Sequence, residues 1–191
     1  MSYKVPVGLS NKHLHVCQAD LETLFGKGYQ LTPAKDLVQP GQYACEEKVE
    51  IVGPKGSLKG VRILGPCRPE TQVELAMTDA RAIGVAAPVR ESGKLEGTPG
   101  VKLVGPAGTV ELDHGAIVAL RHVHLSPEQA KEAGVKDKQM VSLRFEGERG
   151  LTFDNVLVRS GEGHFLEIHL DTDEGNAGGI SNGQLGEIVV K

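Results

Sequence analysis

Five of the seven histidines stand in a pattern that could hold metal. His13-Leu14-His15 and His122-Val123-His124 each follow a basic residue, Lys12 or Arg121, and each closes an apolar stretch. In an extended strand successive side chains alternate faces, so both members of each pair project from one side. Two imidazoles on one face can share one ion. Further along, residues 71–79 can be laid on residues 166–174, which brings Glu74 onto His169. Val73, Leu75 and Met77 form one apolar face and leave Glu74 opposite. Leu166, Ile168 and Leu170 do the same for His169. His-x-His with a distant His or carboxylate is the ligand set of a catalytic zinc site, three protein ligands with a position left for water or substrate. The spacing predicts two metals, one held by His13, His15 and Glu74, the other by His122, His124 and His169.

A single His-x-His in a strand is more often a pair of surface or hydrogen-bonded histidines. Two copies at matched places favour ligands, and zinc over iron, because nothing in the sequence signals redox chemistry. His114 and His164 have no partner in the repeat and are read as structural or exposed. Cys17, Cys45 and Cys67 are odd in number and lack C-x-x-C spacing, which excludes a disulfide framework and a cysteine-rich zinc module. They are read as small buried hydrophobes.

The elements that must position these residues also come twice. After each His-x-His lies a short helical stretch, 18–25 stopped by Gly26 and 127–133 stopped by Gly134, each glycine at the place of a left-handed cap. The second begins better, with Ser126 as cap, Pro127 at the first helical position and Gln129 as capping-box partner. Cys17 is the weaker counterpart of Ser126. His122 follows His13 by 109 residues but His169 follows Glu74 by only 95, so the first copy carries about 14 extra residues. Residues 31–44 hold Pro33, Pro40 and Gly41, and a loop or small hairpin is expected there. Strands are expected at 49–52, 61–64, 73–77, 101–104, 140–145, 156–158 and 165–170. The Gly- and Pro-rich stretch 88–108 is expected to mark a seam. The predicted fold is mainly β: two small β-barrels from an internal repeat, capped by short helices. The domains are placed at 12–119 and 120–191.

Composition limits what such a chain binds. Its 191 residues carry 21 Lys+Arg against 25 Asp+Glu, for a net charge of −4, with 4% aromatics and no Trp. That leaves little for duplex binding or for stacking single-stranded bases, so nucleic acid is not expected as a partner. The apolar stretches fall far short of the roughly 20 residues that cross a bilayer, and no membrane span is expected. No secretory or transit peptide is visible, which points to the cytoplasm.

Arg68 lies in Gly65-Pro66-Cys67-Arg68-Pro69, a sharp turn just before the strand that carries Glu74. A guanidinium fork there suits bidentate phosphate or carboxylate binding, and its alternative is a loop salt bridge. Lys35 and Arg62 add positive charge that could meet a phosphorylated ligand, though each alone is an ordinary solvated charge.

The segments 11–16, 65–68, 71–74, 121–126 and 169–176 together resemble the PduL-type phosphotransacylases, nearly end to end. The resemblance implies interconversion of acyl-CoA plus phosphate with acyl phosphate plus CoA, for short acyl chains such as propanoyl or acetyl. It implies two linked β-barrels with two zinc ions per chain in a dinuclear site, on the ligands named above. It maps the phosphate-binding arginine onto Arg68, and contacts to coenzyme A, the substrate and product, onto Ser10, Lys35, Arg62, Leu64 and Asn176. It also implies that the barrels exchange their opening strands, so that 1–11 packs with the second half. Cys17 departs from the family, where a Ser is usual. Members packed into microcompartments carry an amphipathic N-terminal extension; here the first strand begins almost at Met1, which suggests a cytosolic member. In the implied chemistry zinc polarises the thioester carbonyl or holds the departing thiolate, while Arg68 orients phosphate for attack. Two other classes fit the same ligands: a zinc-dependent acyl-CoA thioesterase, which needs no phosphate, and a non-enzymatic metal-stabilised binding module. A homodimer is expected for an enzyme of this size.

Overall fold

The structure, a computed structural model, describes residues 3–190; positions 1, 2 and 191, which belong to the segments 1–11 and 120–191, lie outside the described residues. The chain runs β1 (Tyr3–Ser10), β2 (His13–His15), α1 (Gln18–Phe25), β3 (Pro33–Asp36), β4 (Tyr43–Val52) and β5 (Ser57–Gly65). There follow β6 (Gln72–Glu74), α2 (Met77–Ile83), β7 (Val89–Arg90), β8 (Lys102–Val104), β9 (Thr109–Glu111) and β10 (Ala116–Ala119). The remainder is β11 (His122–Leu125), α3 (Pro127–Ala133), β12 (Met140–Phe145), β13 (Leu151–Ser160), β14 (Glu167–Asp171), α4 (Thr172–Gly178) and β15 (Leu185–Val189). The mainly β class is as expected, and the chain divides into two compact units. No helix among the described residues is long and apolar enough to cross a membrane.

One unit comprises 1–10, 38–40 and 120–191. Its strands close into a six-stranded barrel in the order β1, β14, β11, β13, β12, β15. Val5, Val123, Leu125, Leu143, Phe145, Val156, Val158, Ile168 and Leu170 fill its core. Burying each such side chain contributes roughly 1.5–3 kcal/mol. Because Val123 and Leu125 point into that core, alternation places His122 and His124 on the opposite face of β11. Ile168 and Leu170 likewise put Glu167 and His169 on the other face of β14.

The other unit, 11–37 with 41–119, is a nine-stranded half-barrel sheet in the order β7, β10, β6, β2, β5, β4, β8, β9, with β3 added on β4. Leu14, Val16, Val49, Ile51, Ile63, Val73 and Leu103 lie in its core. The extra residues at 31–44 form the hairpin β3–β4, with Lys35 opposite Ala44. The stretch 88–108 is not a seam: it runs inside this unit and supplies β7 and β8.

The two copies repeat their pairing. β2 pairs parallel with β5 and antiparallel with β6; β11 pairs parallel with β13 and antiparallel with β14. The strand that leads into each His-x-His, however, serves the other copy. β1 pairs with β14, and β10 pairs with β6.

Local signals account for the helices unevenly. Ser126 and Gln129 form the full capping box of α3, and Gly134 closes it in the left-handed conformation. Cys17 gives α1 no side-chain cap, and Gly26 ends it at φ 113° with an extended ψ of 154°, which is not a left-handed cap. The strand expected at 73–77 is shorter than its alternation suggests. It ends at Glu74, and Met77 begins α2 instead.

Candidate metal centres and anion clamp

In the half-barrel unit the register sets His13 opposite Glu74 and His15 opposite Gln72. Each imidazole is tied back through Nδ1 to a carbonyl, His13 to Asn11 at 2.8 Å and His15 to Leu64 at 3.1 Å. Their Nε2 atoms then face the Glu74 carboxylate at 3.5 and 3.9 Å. Fixing one ring nitrogen on a carbonyl is how proteins select the tautomer that offers the other nitrogen to a metal.

The closed barrel repeats the arrangement with one change. His122 stands opposite His169 and His124 opposite Glu167. His122 bonds through Nδ1 to the Leu120 carbonyl at 2.9 Å, and the rings of His122, His124 and His169 lie 4.8 to 4.9 Å apart, centre to centre. In each set of three the potential ligand atoms lie within 4.8 Å of one another. These are the two sets read from the repeat.

The donor chemistry fits a metal. Burial, reinforced by the Arg68 guanidinium and by His13, lowers the His15 pKa to about 3. Burial, with His122 and His169 beside it, lowers that of His124 to about 2. Both rings are therefore neutral at pH 7, the form that ligates. Nδ1 of His124 is also buried without a hydrogen-bond partner among the described residues. A buried polar atom left unpaired costs about 1–3 kcal/mol, and the ring that carries it stands with His122 and His169 in a set of converged donors suited to an ion.

Arg68 is held in the half-barrel unit by its backbone N–H, which donates to the Val16 carbonyl at 2.9 Å. Its Nη1 donates to Ser92 Oγ at 3.2 Å. Ser92 accepts from Gln72 Nε2 at 2.8 Å and donates to Glu74 Oε1 at 3.2 Å. Gln72 in turn accepts the Gly93 N–H at 2.7 Å. The arginine and the candidate metal ligand Glu74 thus share one serine. Neither Ser92 nor Gln72 was legible as a site residue: Ser92 sits in the Gly- and Pro-rich stretch, and Gln72 differs from its strand neighbours only in being the counterpart of Glu167.

The residues mapped to coenzyme A divide between the units. Lys35 is exposed on β3. Arg62 stands opposite His13 in register, and its Nη1 donates to the Cys45 carbonyl. Leu64 contributes the carbonyl that orients His15. In the closed barrel, Ser10 pairs with Asp171 at the end of β1, and Asn176 lies in the last turn of α4. Of the two histidines without repeat partners, His114 is partly exposed and bonds Glu70 at 2.5 Å. His164 is closer to the chemistry, its ring edge-on to His124 at 4.7 Å.

Residues 6–181 match the profile of a family described as phosphate propanoyltransferase. Curated relatives agree along nearly the whole length. A phosphate propanoyltransferase of Thermotoga maritima is 55% identical over 184 residues, covering 96% of this chain and 88% of the relative. One from Clostridioides difficile is 48% identical over 187 residues, covering 98% and 90%. One from Salmonella typhimurium is 51% identical over 179 residues, covering 93% and 85%. Both histidine sets and Arg68 fall inside the matched span, and the chain belongs to the phosphate propanoyltransferase family of acyltransferases.

Proposed function

We propose that the protein interconverts propanoyl-CoA plus phosphate with propanoyl phosphate plus CoA, takes acetyl-CoA in the same way, and binds two zinc ions per chain, one at each triad. The observation that carries the reading is the pair of triads, His13/His15/Glu74 and His122/His124/His169, each with its donor atoms converged. The family match supplies the reaction class.

Zinc at these ligands supplies Lewis acidity toward a thioester carbonyl or a thiolate. The rest is done by the chain. Arg68 presents a planar fork to phosphate, and its bond to Ser92 limits the directions in which that fork can point. Gln72 and Ser92 together hold the Glu74 carboxylate. The buried imidazoles stay neutral, so that no proton competes for their ligating nitrogens at pH 7. In the forward direction a phosphate oxygen bonds to the acyl carbon and the carbon–sulfur bond breaks. The proton given up by phosphate ends on the CoA sulfur. No covalent acyl-enzyme is required.

The reading assigns coenzyme A contacts to Ser10, Lys35, Arg62, Leu64 and Asn176, takes 12–119 and 120–191 as the two domains with the opening strand serving the second, and extends to a cytoplasmic homodimer. The test is CoA release from propanoyl-CoA and acetyl-CoA with phosphate as the variable. Release that rises with phosphate and yields acyl phosphate is expected. Release indifferent to phosphate would instead identify a thioesterase, and no release at all a binding module.

A further inference from the structure

The repeat pairs more than the metal ligands. Two residues before the third ligand stands Gln72 in one copy and Glu167 in the other, and each bonds that ligand. Gln72 donates its amide N–H to the Glu74 carboxylate. Glu167 Oε2 lies 2.7 Å from Nε2 of His169. Where the ligand is a carboxylate the neighbour is a donor, and where the ligand is an imidazole the neighbour is an acceptor. The exchange of Glu74 for His169 between the copies is thus accompanied by a complementary exchange behind it.

The barrel also makes room for the carboxylate. Gly8 on β1 pairs with His169, as Ile117 on β10 pairs with Glu74 in the other copy. Ile117 is fully buried, whereas a Cβ at Gly8 would lie 2.5 Å from Glu167 Oε1 and 2.8 Å from its Cδ. The glycine is needed where the carboxylate is, and the other copy has a large side chain at that place.

We infer that Glu167 is the positioning residue of His169: it accepts the Nε2–H and so leaves Nδ1 as the nitrogen that His169 offers. His13, His15 and His122 do the opposite, binding carbonyls through Nδ1 and offering Nε2. Glu167 is not itself in the group of converged donors; it acts through His169. A carboxylate accepting from a ligating imidazole fixes the ring and raises its basicity, and losing such a partner commonly weakens metal binding by about 10–100-fold. The inference rests on the two-zinc reading above.

The test measures zinc affinity of the full chain by competition with a chromophoric chelator, with parent, Glu167→Ala, Glu167→Gln and Gly8→Ala compared. Expected are two tight zinc ions in the parent. In Glu167→Ala one of them should be weakened by about 10–100-fold, with the other unmoved. Glu167→Gln, which keeps an acceptor oxygen, should lose less. Gly8→Ala, which leaves Glu167 in the chain but displaces its carboxylate, should fall on the same side as Glu167→Ala. In the zinc-loaded parent, long-range proton–nitrogen spectra should show His169 protonated on Nε2, and His13, His15 and His122 on Nδ1. A parent with fewer than two zinc ions overturns the two-zinc reading and this inference together. Two zinc ions with unchanged affinity in Glu167→Ala, or His169 protonated on Nδ1, overturns this inference alone.

Discussion

Replacing Arg68 with alanine should separate the proposed anion clamp from the proposed metal centres. In the folded protein the side chain donates a partly buried hydrogen bond to Ser92 Oγ at 3.2 Å, and losing that bond costs about 0.5–1.5 kcal/mol. Its backbone bond to Val16 survives the substitution. The catalytic loss should be larger. Removing a charged donor aimed at the reacting phosphate costs about 3–4 kcal/mol, a hundred- to thousandfold in turnover. The metal should stay. Arg68 contributes to the low pKa of His15, but burial is the larger cause, so the ring remains neutral at pH 7 without it. Arg68→Lys keeps a point charge but loses the fork, and should fall between parent and alanine. The assay is CoA release with a thiol reagent across a phosphate titration, beside zinc content by mass spectrometry and a urea melt. Turnover within threefold of the parent at saturating phosphate, with zinc content and stability unchanged, would remove Arg68 from the mechanism.

Two further substitutions probe the scaffold. Burial raises the Glu174 pKa to about 7 despite the Arg121 guanidinium at 2.8 Å. Since its folded value lies above the ordinary 4.5, the stability it contributes is full below about pH 4.5 and is lost as pH rises through about 7. Parent protein should therefore lose on the order of 3 kcal/mol more than Glu174→Gln between pH 5 and 8, and parallel urea-unfolding profiles for the two would refute this. Cys17→Ser should give α1 the side-chain cap it lacks and raise stability by about 0.5–1 kcal/mol; a urea midpoint at or below that of the parent would contradict it.

Much of the candidate site was legible because strand alternation is a strict rule. Once His13 and His15, or His122 and His124, are placed on strands, their faces follow, and the repeat aligns Glu74 with His169. The hairpin at 31–44 and the cap at Ser126 follow from residue types that act locally. What stayed hidden depends on tertiary context. The alternation of Val73, Leu75 and Met77 reads as one strand, yet α2 begins at Met77 behind Ala76, which carries no capping signal. Helix α4 hides behind Gly175 and Gly178, although Asp171 and Glu174 spell a capping box that is fully formed. Ser92 reaches Arg68 only because 88–108 folds back within its unit, and no local pattern announces that path. The exchange of β1 and β10 has no local signal either and was expected from the family resemblance alone, since both are short strands with the same kind of face to bury.

Metal at both triads is tested most directly by diffraction from crystals of the purified chain on either side of the zinc absorption edge. Two anomalous peaks per chain are expected, one bounded by His13, His15 and Glu74 and one by His122, His124 and His169. Peaks elsewhere, or no edge-dependent signal in protein that still releases CoA in response to phosphate, would contradict it.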